Sequence, residues 1–195
     1  MPSFASPHPR YQRSLLASVQ EIRDAGESER LTGLVLVGEE HVTAEELADL
    51  AMFAAFAQRL HDLSLPETPR PAGFVPMTTL WWVEGDEYLG RLSIRHELTD
   101  WLRDFGGHIG YVVRPSARRQ GHASAMLKAA LPIARDLGID PALLTCDDTN
   151  AGSRRVIQSN GGVFADQRRA KLRFWVPTRH YGALPSARRL GCPCG

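Results

Sequence analysis

The chain has 195 residues, 43% of them hydrophobic and 23% charged, the proportions of a globular protein able to bury one substantial core. A formal net charge of +1 supplies no concentrated basic surface, so no nucleic-acid partner is expected. Three cysteines make no disulfide framework, and the longest apolar run, Leu47 to Ala57, is interrupted by Asp49 and too short to cross a bilayer; a soluble, cytoplasmic chain without a membrane partner is the expectation.

Met1 to Arg10 lack the basic start and apolar stretch of a secretory signal, and no strand is legible in them. From Tyr11 to Arg23, Leu15, Leu16, Val19 and Ile22 follow the spacing of an amphipathic helix. Thr43 and Glu46 form a capping box, which predicts a second helix with Leu47, Leu50, Ala51, Ala54 and Ala57 on one face, ending near Leu60. Pro66, Pro69, Pro71 and Pro76 close this helical half.

The run from Thr78 to Val83, the turn residues Gly85-Asp86, and Tyr88 to Arg95 predict a hairpin. After a short polar segment, His108 to Val113 read as a strand stopped by Pro115. A helix follows from His122 to Leu137, with Pro132 expected to kink it and Gly138 to end it. Ala142 to Cys146 form a strand, Ser153 to Ser159 a short helix, and Gly162 to Phe164 with Leu172 to Val176 a last strand pair. This order predicts an α/β fold with one mixed central β-sheet flanked by helices and a right-handed crossover through the His122 helix. Residues 1–180 are expected to form one domain and 181–195 a tail. In that tail Cys192 and Cys194, even with His180, lack the spacing of metal ligands, so no metal is expected.

The most informative segment leaves the strand at Arg114-Pro115, turns through Arg118-Arg119-Gln120-Gly121-His122-Ala123 and enters a helix. The start of a helix exposes unpaired N–H groups and the positive end of its dipole, which together bind phosphate. Gly121 leaves room for close approach, while Arg118 and Arg119 add charge and forked donors. A solvated surface turn would have the same composition.

Arg118, Gly121 and Ala123 match the CoA-binding motif of the GNAT (GCN5-related N-acetyltransferase) superfamily: Arg or Gln, two residues, Gly, one residue, Gly or Ala. A second match is Asn150 with Ser153, then Val156-Ile157 and Asn160-Gly161-Gly162. From Thr78 to Trp175 the chain resembles that superfamily, and Gly106 to Tyr111 followed by Arg114-Pro115 resembles one bacterial subgroup of it. The resemblance implies a GNAT-like sheet with splayed central strands, here Ile109–Val113 facing Leu143–Cys146, and acetyl-CoA as co-substrate with a CoA-binding core over about 78–176. It also implies that a backbone N–H of Tyr111, Val112 or Val113 polarises the thioester and that Asn150 and Ser153 lie beside pantetheine. Capping the short helix is an equally ordinary role for Asn150 or Ser153. The superfamily's tyrosine acid lines up with Ile157, which has no proton to give; Tyr111, Cys146, Ser153 or water are the alternatives.

Amine acylation requires a neutral amine held against the carbonyl and an exit for its proton. The strand from Ile109 to Val113 carries no carboxylate, leaving His108, His96 and Glu97 as candidate bases. Asp147, Asp148, Asp100, Asp104 and Glu97 would attract a cationic amine unless Arg95 and Arg103 offset them. The reading is therefore an N-acetyltransferase acting on a small amine or peptide acceptor, as a monomer or homodimer. Its alternatives are a CoA-binding sensor without turnover and a transferase of another acyl group or to a hydroxyl.

Overall fold

The computed structural model describes residues 1–28, 31, 34 and 42–179. Cys192, Cys194 and His180 lie outside them, as does the expected tail. In chain order the main elements are β1 (Ser3–Ala5), α1 (Gln12–Asp24), α2 (Leu50–Asp62), β2 (Met77–Glu84), β3 (Glu87–Arg95), β4 (Ile109–Val113), α3 (His122–Asp136), β5 (Ala142–Asp147), α4 (Ala151–Ser159), β6 (Val163–Arg168) and β7 (Lys171–Val176).

The expected single sheet is divided in two. One sheet has the order β1-β2-β3-β4 and the other β5-β7-β6, each with antiparallel neighbours. They meet where the His108 N–H donates to the Leu143 carbonyl at 2.7 Å. Beyond that seam β4 and β5 are separate edge strands, so the splay falls between them. Trp82, Leu92 and Ile94 pack on one face with Met126, Leu127, Ala130 and Ala134 of α3 and with Leu144 and Phe174 of the second sheet. Trp81, Val83 and Tyr88 pack on the other face with Tyr11, Leu15 and Val19 of α1 and Phe53, Phe56 and Leu60 of α2.

Three local features depart from the sequence reading. β1, which had no signal, pairs Phe4 with Trp82, their rings edge to face with centroids 5.0 Å apart; three residues are too few to show alternation. The capping box forms, Thr43 N–H to Glu46 Oε2 at 2.8 Å and Glu46 N–H to Thr43 Oγ1 at 3.1 Å, but it opens only a 3-10 turn over Glu46–Ala48. Asp49 is extended and caps α2 afresh, accepting the Met52 N–H at 2.9 Å. That second start rotates the expected face: Phe53, Phe56, Ala57 and Leu60 are buried, whereas Leu50 is 58% exposed. Two aromatic rings bury far more apolar area than the alanines of the expected face, which decides the register. Finally, the polar segment before β4 holds a π-helical turn, Leu102–Gly106, with Leu102 buried. α3 runs through Pro132, which lies on its exposed side.

α1 ends in a left-handed glycine. Gly26 has φ +65, its N–H donates to Arg23 O, and the Glu27 N–H donates to Ile22 O, the paired bonds of a Schellman stop. The sequence Asp24-Ala25-Gly26-Glu27 thus fixes the backbone of Glu27.

Candidate active site

After β4 the chain makes a short 3-10 turn, Pro115–Ala117, and reaches α3 through two left-handed residues, Arg119 at φ +65 and Gly121 at φ +86. Gly121 is the N-cap of α3 and has no side chain to cap with; a Cβ added there would meet nothing within 4 Å. The first N–H groups of α3, those of His122, Ala123 and Ser124, have no carbonyl a turn earlier to bond and open toward that space. His122 Nδ1 accepts the Trp82 indole N–H at 3.3 Å, and Gln120 Nε2 donates to Ser116 O at 3.2 Å.

The two arginines divide their work in a way the motif does not announce. Arg118 is committed to the protein: Nη1 and Nη2 donate to Glu27 at 2.5 and 2.8 Å, and Nε donates to Val113 O at 3.0 Å. This pairing ties the first residue of the turn to α1 and to the end of β4. Arg119 is exposed and has no partner among the described residues, so its guanidinium is the free cation of the turn. Beside it, Glu21 takes Arg114 Nη2 at 2.5 Å, Ser116 N–H at 3.0 Å and Ser116 O–H at 3.0 Å. Burial pushes the Glu21 carboxyl up, but the hydrogen bonds from Arg114 and Ser116 outweigh it and hold it below the usual range.

The edge of β4 toward β5 is unpaired in any ladder. Tyr111, Val112 and Val113 lie along it, paired on the other side to Leu92, Arg91 and Gly90 of β3. Following β5, Asn150 caps α4 by accepting the Ser153 N–H at 2.9 Å. The Tyr111 hydroxyl lies 2.9 Å from Ser153 Oγ, bridging β4 to α4. Burial pushes the Tyr111 phenol up to about 12 despite the Ser153 hydrogen bond, so the phenol keeps its proton at neutral pH. Ile157 is fully buried in the core between α3 and β5. Burial, then the neighbouring Asp147, raises the Cys146 thiol.

His108 lies at the seam of the two sheets. Its Nδ1 accepts the Leu143 N–H at 2.9 Å, which in the neutral ring puts the hydrogen on Nε2 and leaves no lone pair free. Burial first, then Arg103 and Arg95, pull the ring down to about 4. His96 Nε2 lies 2.8 Å from Thr78 Oγ1, and burial lowers its pKa, with Arg70 adding to the shift and Glu97 opposing it. His96 and His108 share a shallow polar cleft with Arg103, Asp140 and Trp175, while Glu97 is exposed. Of the acids expected to draw a cation, Asp147 pairs with Lys171 at 2.6 Å and Asp104 pairs with Arg168. Among the described residues no group of His, Cys, Asp and Glu is placed to hold a metal, and no helix is long and apolar enough to cross a membrane.

The family model described as the acetyltransferase (GNAT) domain matches residues 35–163. The chain belongs to the GNAT acetyltransferase family. No curated protein matches it. Among solved structures, this GNAT chain is similar to the yncA protein of Salmonella typhimurium with its cofactor acetyl-CoA, at TM-score 0.52 and 16% identity over 96% of this chain and 99% of that one. It is also similar to the microcin C7 self immunity acetyltransferase MccE in complex with acetyl-CoA and AMP, at TM-score 0.58 and 11% identity over 90% and 92%. A third is an acetyltransferase of Salmonella typhimurium that modifies the N-terminal serine of ribosomal protein L7/L12, at TM-score 0.54 and 16% identity over 89% and 92%. At these identities the likeness is one of GNAT fold.

Proposed function

We propose that this protein is an N-acetyltransferase of the cytoplasm, residues 1–180 acting as one domain, that moves the acetyl group of acetyl-CoA to a primary amine. The observation that carries the reading is the turn at residues 118–123, which follows β4 and brings the left-handed Gly121 to the N-cap of α3, with open space before it and Arg119, unpaired among the described residues, two positions earlier. In this reading the pyrophosphate sits on that turn and pantetheine lies along Tyr111, Val112 and Val113, beside Asn150 and Ser153. The amine nitrogen attacks the thioester carbon, whose oxygen is polarised by a backbone N–H of β4, and the C–S bond breaks. The leaving sulfur takes the Tyr111 proton, which Ser153 or water restores. Water, or His96 beside Glu97, removes the proton from nitrogen. The Salmonella enzyme with an N-terminal serine acceptor has the same fold and supports an amine as nucleophile.

The rival reading, CoA binding without turnover, draws on Ile157, which fills the core where a proton donor would otherwise stand. Free thiol released from acetyl-CoA in the presence of amino acids, polyamines and peptides with a free amino terminus separates the two. Release with any amine above the hydrolytic background is expected; CoA binding with no release from the whole panel would establish the sensor. A hydroxyl acceptor would instead yield an ester that hydroxylamine cleaves.

Asn150 provides a test of the pantetheine side. Asn150→Ala removes the cap on the Ser153 N–H, so unfolding in denaturant should show a loss of about 1 kcal/mol. Because the same bond sets the start of α4 beside Tyr111, KM for acetyl-CoA should rise as well. Lost stability with unchanged kinetics would reduce Asn150 to a cap.

A further inference from the structure

We propose that Glu27 is a positioning residue for CoA, acting through Arg118 to hold the phosphate turn in its strained conformation. The inference rests on residues 118–123 being that turn. Arg119 is not glycine, yet its φ is +65, a conformation in which the Cβ crowds the carbonyl. Such a residue stays left-handed only where its neighbours over-determine it.

The determinant on its N-terminal side is Arg118. Three of its donors are taken, two by the Glu27 carboxylate in parallel and one by the Val113 carbonyl, so the residue before Arg119 is tied both to the end of β4 and to the end of α1. The forked geometry fixes orientation as well as distance. Glu27 is itself fixed, because its N–H closes the Schellman stop on Ile22 O behind Gly26. The hydrogen bond from Arg118 holds its carboxyl below the usual range against some burial, so it stays ionised at neutral pH. Glu21 secures the other flank of the turn through Arg114 and Ser116. A helix that packs on β2 and β3, on the face of the sheet away from α3, thereby sets the shape of the anion site.

The test is a double-mutant cycle in CoA affinity, measured by calorimetry on the full chain. Glu27→Gln keeps the shape but loses the charge and one acceptor of the fork, and should weaken CoA on the order of tenfold. Arg119→Gly loses a cation and weakens CoA by itself, but glycine adopts positive φ without strain. In that background Glu27→Gln should cost less than about twofold, since no strain remains to be held. The reciprocal exchange Glu27→Arg with Arg118→Glu should recover affinity relative to either single reversal. Equal cost of Glu27→Gln in both backgrounds, or no cost in the wild-type background, overturns the proposal. A wild-type chain that binds no CoA would instead overturn the assignment of the turn itself, and a Glu27→Gln protein with a lowered melting temperature but unchanged affinity would leave Glu27 a purely structural residue.

Discussion

Gly121→Ala should weaken CoA binding by on the order of a hundredfold in calorimetry while the protein remains folded. Two effects are superimposed in that substitution. A side chain at φ +86 carries the left-handed penalty of roughly 1–2 kcal/mol. The methyl group also stands in the open space in front of the first N–H groups of α3, where a phosphate oxygen must come within hydrogen-bond distance. The chain contains its own control at the other end of the same helix. Gly138 has φ +81 and likewise nothing within 4 Å of an added Cβ, so Gly138→Ala reproduces the strain without the obstruction. Both variants should lose similar thermal stability, and only Gly121→Ala should lose CoA. Gly121→Asn sharpens the comparison, because asparagine tolerates the left-handed region while still obstructing the approach. Equal affinity in all three proteins would place the pyrophosphate elsewhere.

Tyr111→Phe is expected to lower kcat on the order of 10²-fold, within the range of general acid catalysis, and to leave CoA affinity nearly unchanged. The substitution deletes one oxygen from a ring that otherwise packs against the core, so the fold should persist. The phenol's pKa, pushed up to about 12, defines the pH signature. A group raised above its usual value of 10 stays protonated as pH rises, so Tyr111 imposes no alkaline fall on the wild-type rate until pH nears 12. Ser153→Ala should give a smaller loss, since water can restore the tyrosine proton in its place. Full turnover in Tyr111→Phe would mean that the thiolate departs without a proton from the protein and that positioning alone accounts for the rate.

What the sequence discloses follows physical range. Periodic apolar faces and turn residues are local, and they locate α1, α3, α4 and the strands from β2 to β7 within a few residues. β1 fails this test because it is three residues long and gains its place only by pairing with β2. The α2 register fails for a different reason: two competing caps, Thr43 and Asp49, stand six residues apart, and the aromatic rings decide between them only once a core exists to bury them. In the candidate site the glycine turn is legible, being a contiguous motif. The role of Arg118 is not, because its partner Glu27 lies 91 residues away. The only local trace was Gly26, whose position after Asp24-Ala25 marks a helix stop. His108 illustrates the same limit: the Leu143 N–H on its Nδ1 comes from 35 residues away.

The seam at His108 and Leu143 also bears on how the chain matures as it is synthesised. Every ladder of the first sheet joins residues between 3 and 113, and every ladder of the second joins residues between 142 and 176. The first sheet and its cover of α1 and α2 can therefore close while the second is still inside the ribosome, needing only contacts already translated. The splay between β4 and β5 is in no sense carved into a finished body. It comes into being when the last third of the chain docks, and α3, which packs on both sheets, is the tether that brings the two strands together.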